Sequence, residues 1–168
     1  MNKEKEQEIL KKRAIELSIS LDEEKNNFET IEIVEFRLSD ERYAIESTSV
    51  REVYSLKEFT QLPSIPKYIL GIMNIRGEIV TVVDLKVLFE IPKKELQNLQ
   101  KVIVIEQNNL VLGILVDNII GVYLQNINDI KLGIPTLTDI RSEFLLGVTK
   151  DQLVIIDAIK FINEIKLC

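Results

Sequence analysis

The sequence predicts a mainly β protein built from two similar halves, and three observations support this prediction. A segment occurs twice, as ILGIMNIRGEIVTVVDLK at residues 69–86 and as LLGVTKDQLVIIDAIK at residues 145–160. About ten short apolar stretches alternate with turn residues, which is typical of a β-sandwich or a barrel. The hydrophobic residues, 46% of the chain, are mostly branched aliphatics with few aromatics, a composition that favours strands.

The repeat extends towards the N-terminal side of each copy. Gly71 corresponds to Gly147, and Asp84 corresponds to Asp157. A repeat of about 70 residues is too long for a solenoid and fits two small β units fused in tandem. Upstream of the glycines, SVREVYSL matches NIIGVYLQ, so that three residues recur: Val50, Val53 and Tyr54 as Ile119, Val122 and Tyr123.

Charge and composition restrict the classes of partner. The net charge of −6 argues against nucleic acid or an anionic membrane as the main partner, because both require clustered cations. No apolar run approaches the length of a membrane span, and the chain does not open with a signal peptide. The only cysteine, Cys168, is the last residue, so we expect a reducing cytoplasm.

Residues 1–29 differ from the rest of the chain and are predicted to be a helical extension with a linker. Leu10, Ala14, Leu17 and Leu21 recur at helical spacing, which predicts a helix over roughly residues 4–20. The stretch DEEKNN then reads as a solvated linker. The helix could pack on the body of the protein, bind a partner or a second copy, or remain disordered.

The first half begins with a strand, since IEIVEFRL from Ile31 alternates apolar and polar residues. Residues 39–41 form a turn, and RYAIE returns as the hairpin partner. Residues 47–49 (SerThrSer) cap a short helical turn or a corner before the strand VREVYSL. Pro63 and Pro66 then predict a loop over QLPSIPKY.

Two further strands complete this half. YILGIMNI and EIVTVVDL are predicted to join at Arg76 and Gly77, with Gly77 supplying a positive φ. Asp84 fits the N-cap of a short helix in LKVLF, and Pro92 ends the half.

The second half follows the same plan. KVIVIEQ turns at residues 108–109 and returns as LVLGILVD, which the strand IIGVYLQ follows. Gly133 and Pro135 interrupt a long polar connection. EFLLGVTK and QLVIIDAI form the last hairpin, and Asp157 caps a helix over roughly residues 157–165.

The residues give no indication of catalysis. The chain has no histidine, which removes the commonest general base and excludes Ser/His and Cys/His nucleophilic arrangements. There is no phosphate-binding glycine loop, and the isolated Gly71 and Gly147 predict close backbone packing. Asp84, Asp117 and Asp157 each follow a strand, where capping or turn formation explains them. We therefore expect no catalytic residue, cofactor or metal.

Arg76 is the strongest candidate for a functional residue. The NIRG insert that contains Asn74, Arg76 and Gly77 occurs in only one copy of the repeat. Arg76 is either an exposed turn arginine that contributes little or a fixed arginine that pairs with Glu52 and faces a partner protein.

The segment PKYILGIMNIRGEIVTVVDL resembles the signature of the CheW-like chemotaxis coupling proteins. RYAIESTSVREV, VLGILVDNIIGV and FLLGVTKDQLVIIDAIKFI support this resemblance, which covers residues 31–165. The chain departs from the family pattern at Ile75, where leucine is usual, and at Thr81, where proline is usual.

The resemblance implies two five-stranded SH3-like barrels related by a pseudo-twofold axis. They would form one CheW-like domain over residues 30–165, with barrel one at about 30–92, barrel two at about 99–157 and a final helix at 157–165. The implied function is a non-catalytic cytoplasmic adaptor that joins chemoreceptor tips to the regulatory domain of the histidine kinase CheA, beneath membrane receptor arrays.

The resemblance also implies a receptor groove between the barrels. The corresponding positions are Ser47, Val50, Gly71, Asn74 and Arg76, with Glu52 as the ion-pair partner of Arg76. The polar Ser47 and the N-terminal extension leave open a CheW-like scaffold for motility or development. A barrel that binds saccharide or single-stranded nucleic acid is disfavoured, since the chain is acidic, lacks tryptophan and is poor in aromatics.

Overall fold

The structure, a computed structural model, describes residues 29–92, 100–132 and 142–165. The helix predicted over residues 4–20 lies outside these ranges. The described part of the chain is mainly β, with short helices α1 (Leu85–Leu88) and α2 (Ala158–Glu164) and 3₁₀ turns at Ser47–Ser49 and Ile127–Asp129. Its strands are β1 (Thr30–Leu38), β2 (Glu41–Glu46), β3 (Val50–Ser55), β4 (Ile69–Ile75), β5 (Glu78–Asp84), β6 (Lys101–Gln107), β7 (Leu110–Val116), β8 (Asn118–Asn126), β9 (Leu145–Val148) and β10 (Val154–Ile156).

The strands form two five-stranded sheets, which confirms the mainly β, two-part fold. Sheet one has the order β8-β1-β2-β10-β9, and sheet two has the order β3-β6-β7-β5-β4. All neighbours are antiparallel except β10 with β2 and β5 with β7. Each strand from β1 to β5 therefore corresponds to the strand five places later along the chain. The two corresponding strands occupy the same position in the two sheets.

The sheets do not follow the halves of the sequence. The hairpin β1–β2 pairs with β8 and β10, and the hairpin β6–β7 pairs with β3 and β5. The chain passes between the sheets at Ser47–Ser49 and again at Asp117. The division at about 30–92 and 99–157 is therefore corrected: each sheet takes two strands from one half and three from the other. Which hairpin joins which sheet depends on pairing between strands that are distant in the sequence. The order of the elements along the chain does not encode this pairing.

Both repeat glycines lie where two backbone segments come close, as predicted. A Cβ on Gly71 would lie 2.3 Å from the carbonyl oxygen of Thr60, which forms a bridge with Ile72. A Cβ on Gly147 would lie 2.8 Å from the carbonyl oxygen of Lys131, in the equivalent bridge. The glycines are thus part of the scaffold in each copy.

A central core lies between the two sheets. Branched aliphatic residues of both sheets meet there with a row of aromatic rings, whose neighbouring centroids lie 5.3–6.4 Å apart: Phe36, Tyr43, Phe89, Phe144 and Phe161. Sheet two has a second apolar cluster that includes Met73, Val80 and Val104, while sheet one has a smaller cluster. The central core therefore joins the two sheets into one packed body.

Asp84 and Asp157 begin the two α-helices. Asp84 Oδ1 accepts hydrogen bonds from the amides of Lys86, at 3.0 Å, and Val87, at 3.4 Å. Asp157 Oδ1 accepts from the amide of Lys160, at 2.9 Å. Each carboxylate satisfies amide groups that have no partner inside the first turn of its helix.

Asp117 has a different role. Its Oδ2 accepts a hydrogen bond from the amide of Ser39 at 2.7 Å, and its Oδ1 pairs with Nζ of Lys86. The Lys86 side chain is only 2% exposed, so Asp117 neutralises a buried ammonium group.

Candidate functional site

Ser47 and Val50 lie where the chain passes from sheet one to sheet two. Ser47 Oγ donates a hydrogen bond to Glu32 Oε2, at 2.9 Å. Val50 is half-buried and packs against the central core, as does its repeat equivalent Ile119. These residues therefore lie at the boundary between the sheets.

Two exposed apolar residues of β8 continue this boundary. Val122 pairs with Val34 of the central core, and Leu124 pairs with Glu32, the residue that Ser47 contacts. Directly opposed residues in neighbouring strands share a face, so both side chains lie on the side that faces sheet two. Val122 is 55% exposed and Leu124 is 74% exposed. We call Ser47, Val50, Val122 and Leu124 the inter-sheet surface.

Three other candidates from the sequence lie in or beside the β4–β5 hairpin. Gly71 is buried beneath the backbone of Thr60 and presents no side chain. Arg76 and Gly77 form the turn with φ of 52° and 88°, as a two-residue hairpin of type I′ requires. Asn74 Oδ1 accepts the Gly77 amide at 2.8 Å, so the asparagine closes the turn.

The Arg76 guanidinium is fixed on one side and open on the other. Its Nε donates to Tyr54 Oη at 2.6 Å, and its Nη2 lies 3.2 Å from Glu52 Oε2. The hydrogen bond to Tyr54, and then the charge of Glu52, raise the pKa of Arg76 above its ordinary value. The side chain is still 76% exposed. Arg76 is therefore oriented while its outer face remains accessible.

Arg76 belongs to a charged cluster, defined by Arg51, Glu52, Arg76, Glu78 and Glu106. Arg51 contacts Glu78 at 2.7 Å, Glu52 at 3.3 Å and Glu106 at 3.5 Å. The hydrogen bond to Glu78 is the main cause that raises the pKa of Arg51. The sequence pointed to Arg76 and Glu52 but not to the other three, which three separate strands bring together.

The sequence candidates thus divide between two neighbouring places. Ser47 and Val50 belong to the inter-sheet surface, whereas Asn74, Arg76 and Glu52 belong to the hairpin and the charged cluster. The strand β3 connects them, because Val50 begins it and Arg51 and Glu52 follow. Val122 and Leu124 were not among the candidates, since apolar alternation in IIGVYLQ indicates a strand without distinguishing an exposed edge from a core position.

A polar cleft of about 440 Å³ opens beside sheet one. Glu35, only 5% exposed, accepts a hydrogen bond from Arg42 Nε at 2.6 Å, which raises the pKa of the arginine. At the equivalent position sheet two has Val104, buried in an apolar cluster. Further polar side chains line the cleft: Arg37, Tyr123, Gln125, Thr149 and Asp151.

The buried end of this cleft predicts a stability effect. Arg42→Ala removes the ion pair of Glu35, and we expect the free energy of unfolding to fall by about 1–3 kcal/mol, the cost of an unsatisfied buried polar group. Urea denaturation at pH 7 measures this change. In an Arg42→Ala background, Glu35→Val should recover part of the loss, since valine fills the equivalent site in sheet two. A fully stable Arg42→Ala protein would contradict the role of this pair.

Among the described residues, no group of three or more cysteine or acidic side chains could hold a metal ion. No helix in those ranges is long and apolar enough to cross a membrane. Features that the described residues present for binding include the inter-sheet surface and the oriented guanidinium group of Arg76.

Comparison with known proteins gives consistent matches. The family model of the CheW-like domain matches residues 32–166. The chain is 26% identical over 148 residues to the chemotaxis protein CheW of Treponema pallidum, covering 84% of this chain and 87% of that protein. It resembles the crystal structure of the scaffolding protein TtCheW from Thermoanaerobacter tengcongensis with a TM-score of 0.69 and 32% identity, covering 77% of this chain and 90% of that one. It is also 25% identical over 113 residues to Protein PilI of Pseudomonas aeruginosa, covering 67% of this chain and 64% of that protein.

Proposed function

The chain belongs to the CheW-like family of chemotaxis adaptors, and on that premise we propose that it couples the cytoplasmic tips of chemoreceptors to the histidine kinase CheA. In this role it works without catalysis, in the cytoplasm, and reaches membrane receptor arrays only through its partners. The regulatory domain of CheA is the proposed kinase contact.

The inter-sheet surface carries the receptor part of the proposal. Val122 and Leu124 expose apolar side chains beside Ser47 and Val50, on a face supported by the central core. An amphipathic helix binds such a strip by laying its apolar side along it. A receptor tip presents helices of this kind, and a rigid support lowers the entropic cost of binding.

Arg76 is the proposed polar contact next to this strip. Its planar group is held by Tyr54 and Glu52, so less side-chain freedom remains to be lost when a partner carboxylate or carbonyl binds. Each contact is small, and an array of receptors and kinases adds multivalency to weak individual interfaces.

The receptor assignment predicts that Leu124→Asp weakens binding of a soluble receptor-tip fragment at least tenfold, because a carboxylate would be buried against the apolar side of the helix. Arg76→Asp should weaken it by a smaller factor. Calorimetric titration with the receptor fragment measures both changes.

Leu110→Asp is the matched control for this titration. Leu110 is also an exposed apolar strand residue, 47% exposed, but it lies outside the inter-sheet surface and the charged cluster. Its replacement should leave the affinity unchanged. Equal losses for Leu124→Asp and Leu110→Asp, or no loss for either, would refute the assignment.

An adaptor for a different signalling system is the second candidate function. The similarity to Protein PilI, which is not named for chemotaxis, favours it, as does the polar Ser47. Pull-down with separately purified receptors and kinases from chemotaxis and from motility or developmental systems distinguishes the two. Capture of chemotaxis partners alone supports the first.

A further inference from the structure

We propose that the polar cleft beside sheet one binds a free α-amino acid with an apolar side chain. The cleft opens on the face of β1 that carries Ile33, Glu35 and Arg37, whereas Val34 and Phe36 face the central core. It therefore lies on the opposite side of sheet one from the inter-sheet surface, and this inference does not rest on the receptor assignment. Its volume of about 440 Å³ is within the usual range of small-ligand sites, about 300–1,000 Å³.

The sequence repeat shows what occupies the same place in the other half of the molecule. Four polar residues that line the cleft have apolar equivalents, which belong to the apolar cluster of sheet two or pack against it: Glu35, Arg42, Gln125 and Thr149 correspond to Val104, Val111, Leu56 and Met73. An apolar interior is therefore compatible with this fold at these positions. Polar groups in a protein interior cost stability unless they are paired, so their presence in sheet one requires a reason. Residues that break the packing pattern in this way are typical of functional sites.

Two arginines of the cleft lie directly opposite each other. Arg37 on β1 opposes Arg42 on β2, and like charges at directly opposed positions destabilise a sheet. The equivalent pair in sheet two, Glu106 and Val111, has no such repulsion. Glu35 neutralises Arg42, but the exposed Arg37 has no ion-pair partner among the described residues. Two neighbouring guanidinium groups, one of them without such a partner, suit a carboxylate, which their planar N–H groups recognise.

Arg42 is held in place for this contact. Its Nε donates to Glu35 Oε1 at 2.6 Å, and its Nη1 lies 3.5 Å from the carbonyl oxygen of Asp151. Glu35 is only 5% exposed, whereas 39% of the Arg42 side chain remains exposed. The buried carboxylate therefore fixes the guanidinium group while leaving part of it open to the cleft. A group that is already ordered loses less entropy when a ligand binds.

The charges that line the cleft favour a ligand with both a carboxylate and an ammonium group. Arg37 and Arg42 are balanced by Glu35 and Asp151, so a simple anion or cation gains little from the cleft as a whole. Glu35 is engaged with Arg42, and the exposed Asp151 is the acidic group that remains for an ammonium ion. A free α-amino acid carries both groups on one carbon atom, close enough for neighbouring side chains to bind them together.

Strand β8 supplies an apolar wall. Its β-bulge leaves Ile120 without a partner on β1, and this residue lines the cleft beside the buried Ile33 and Leu153. Gly121 leaves room for Tyr123, because a Cβ on the glycine would lie 2.9 Å from the tyrosine Oη. These residues offer an apolar contact for the side chain of the amino acid and a hydroxyl group for its polar end.

Titration of the isotopically labelled full-length chain at pH 7, followed by the amide signals of β1 and β8, tests the site. Leucine is the probe, and two fragments of it are the matched ligands: isocaproate lacks the ammonium group, and isoamylamine lacks the carboxylate. We expect saturable shifts with leucine that are confined to the cleft residues. The affinity for each fragment should be lower by about tenfold or more, the usual effect of losing a hydrogen bond to a charged group.

Arg37→Gln separates binding from folding. Because this change removes a like charge opposite Arg42, we expect the midpoint of urea denaturation to stay the same or rise. The affinity for leucine should fall by about tenfold or more. Lys57→Gln is the matched control: it makes the same change of charge at an exposed position outside the cleft, and it should alter neither quantity.

Three results would overturn the inference. The first is the absence of saturable shifts with leucine, methionine and phenylalanine. The second is isocaproate binding as tightly as leucine, because the cleft would then recognise a carboxylate alone. The third is a loss of stability in Arg37→Gln, or an equal affinity in Arg37→Gln and Lys57→Gln, since Arg37 would then have no specific role in binding. Saturable leucine binding that Arg37→Gln weakens and Lys57→Gln does not supports the site.

Discussion

Replacing Gly71 by alanine is expected to lower the free energy of unfolding by about 3–5 kcal/mol, because the cost of overpacking and the cost of backbone strain are added together. A Cβ at this position would lie 2.3 Å from the carbonyl oxygen and 2.9 Å from the carbonyl carbon of Thr60. Neither atom can rotate away, because both are backbone atoms in a bridge to Ile72. The φ of +149° is also unfavourable for any residue with a side chain. Urea denaturation measures the loss.

Gly77→Ala is the matched comparison, since Gly77 also has a positive φ, +88°, but nothing lies within 4 Å of the place that an alanine Cβ would occupy. We expect a loss of about 1 kcal/mol from the backbone alone. The loss of stability for Gly147→Ala should fall between the losses at Gly71 and Gly77. Its Cβ would lie 2.8 Å from the carbonyl oxygen of Lys131, but Gly147 does not have a positive φ. Similar losses at Gly71 and Gly77 would show that the contact with Thr60 contributes little.

Removing the carboxylate of Asp117 is expected to have an effect of similar size. Asp117→Ala leaves the buried ammonium group of Lys86 without this counter-charge and the amide of Ser39 without its acceptor. Breaking one side of a buried ion pair typically costs about 3–5 kcal/mol. Thermal and urea denaturation at pH 7 measure the change.

The double variant identifies the cause. Adding Lys86→Met to Asp117→Ala removes the buried charge while keeping a side chain of similar length, and we expect most of the lost stability to return. If the double variant is as unstable as Asp117→Ala, the loss comes from the hydrogen bond to Ser39 rather than from Lys86.

Local features of the fold could be predicted from the sequence. The turn at Arg76 and Gly77, the caps at Asp84 and Asp157, and the close packing at Gly71 each depend on a few neighbouring residues and a known backbone preference. The membership of the sheets could not be predicted, because β2 pairs with β10 and β7 with β5 through contacts between distant residues. The sequence repeat indicated two similar units, but it did not indicate which hairpin would belong to which sheet.

The candidate site shows the same division. Ser47 and Val50 were predicted by resemblance and lie together at the boundary between the sheets. Val122 and Leu124 were missed because an apolar residue in a strand is usually buried, and only the edge position of β8 exposes them. The burial of Lys86 was missed for the opposite reason, since lysine is normally exposed.

The exchange of hairpins between the halves has a consequence for synthesis on the ribosome. Sheet two uses β3 to β7, which are consecutive, so it can assemble once residue 116 has emerged. The β1–β2 hairpin is made first but waits for β10, roughly 110 residues later, which at typical elongation rates is about 5–20 s. During that interval its apolar face, with Phe36 and Tyr43, has only a partial core to pack against. The earliest part of the domain to be translated is therefore among the last to complete its sheet, and it is the part that nascent-chain chaperones would have to protect.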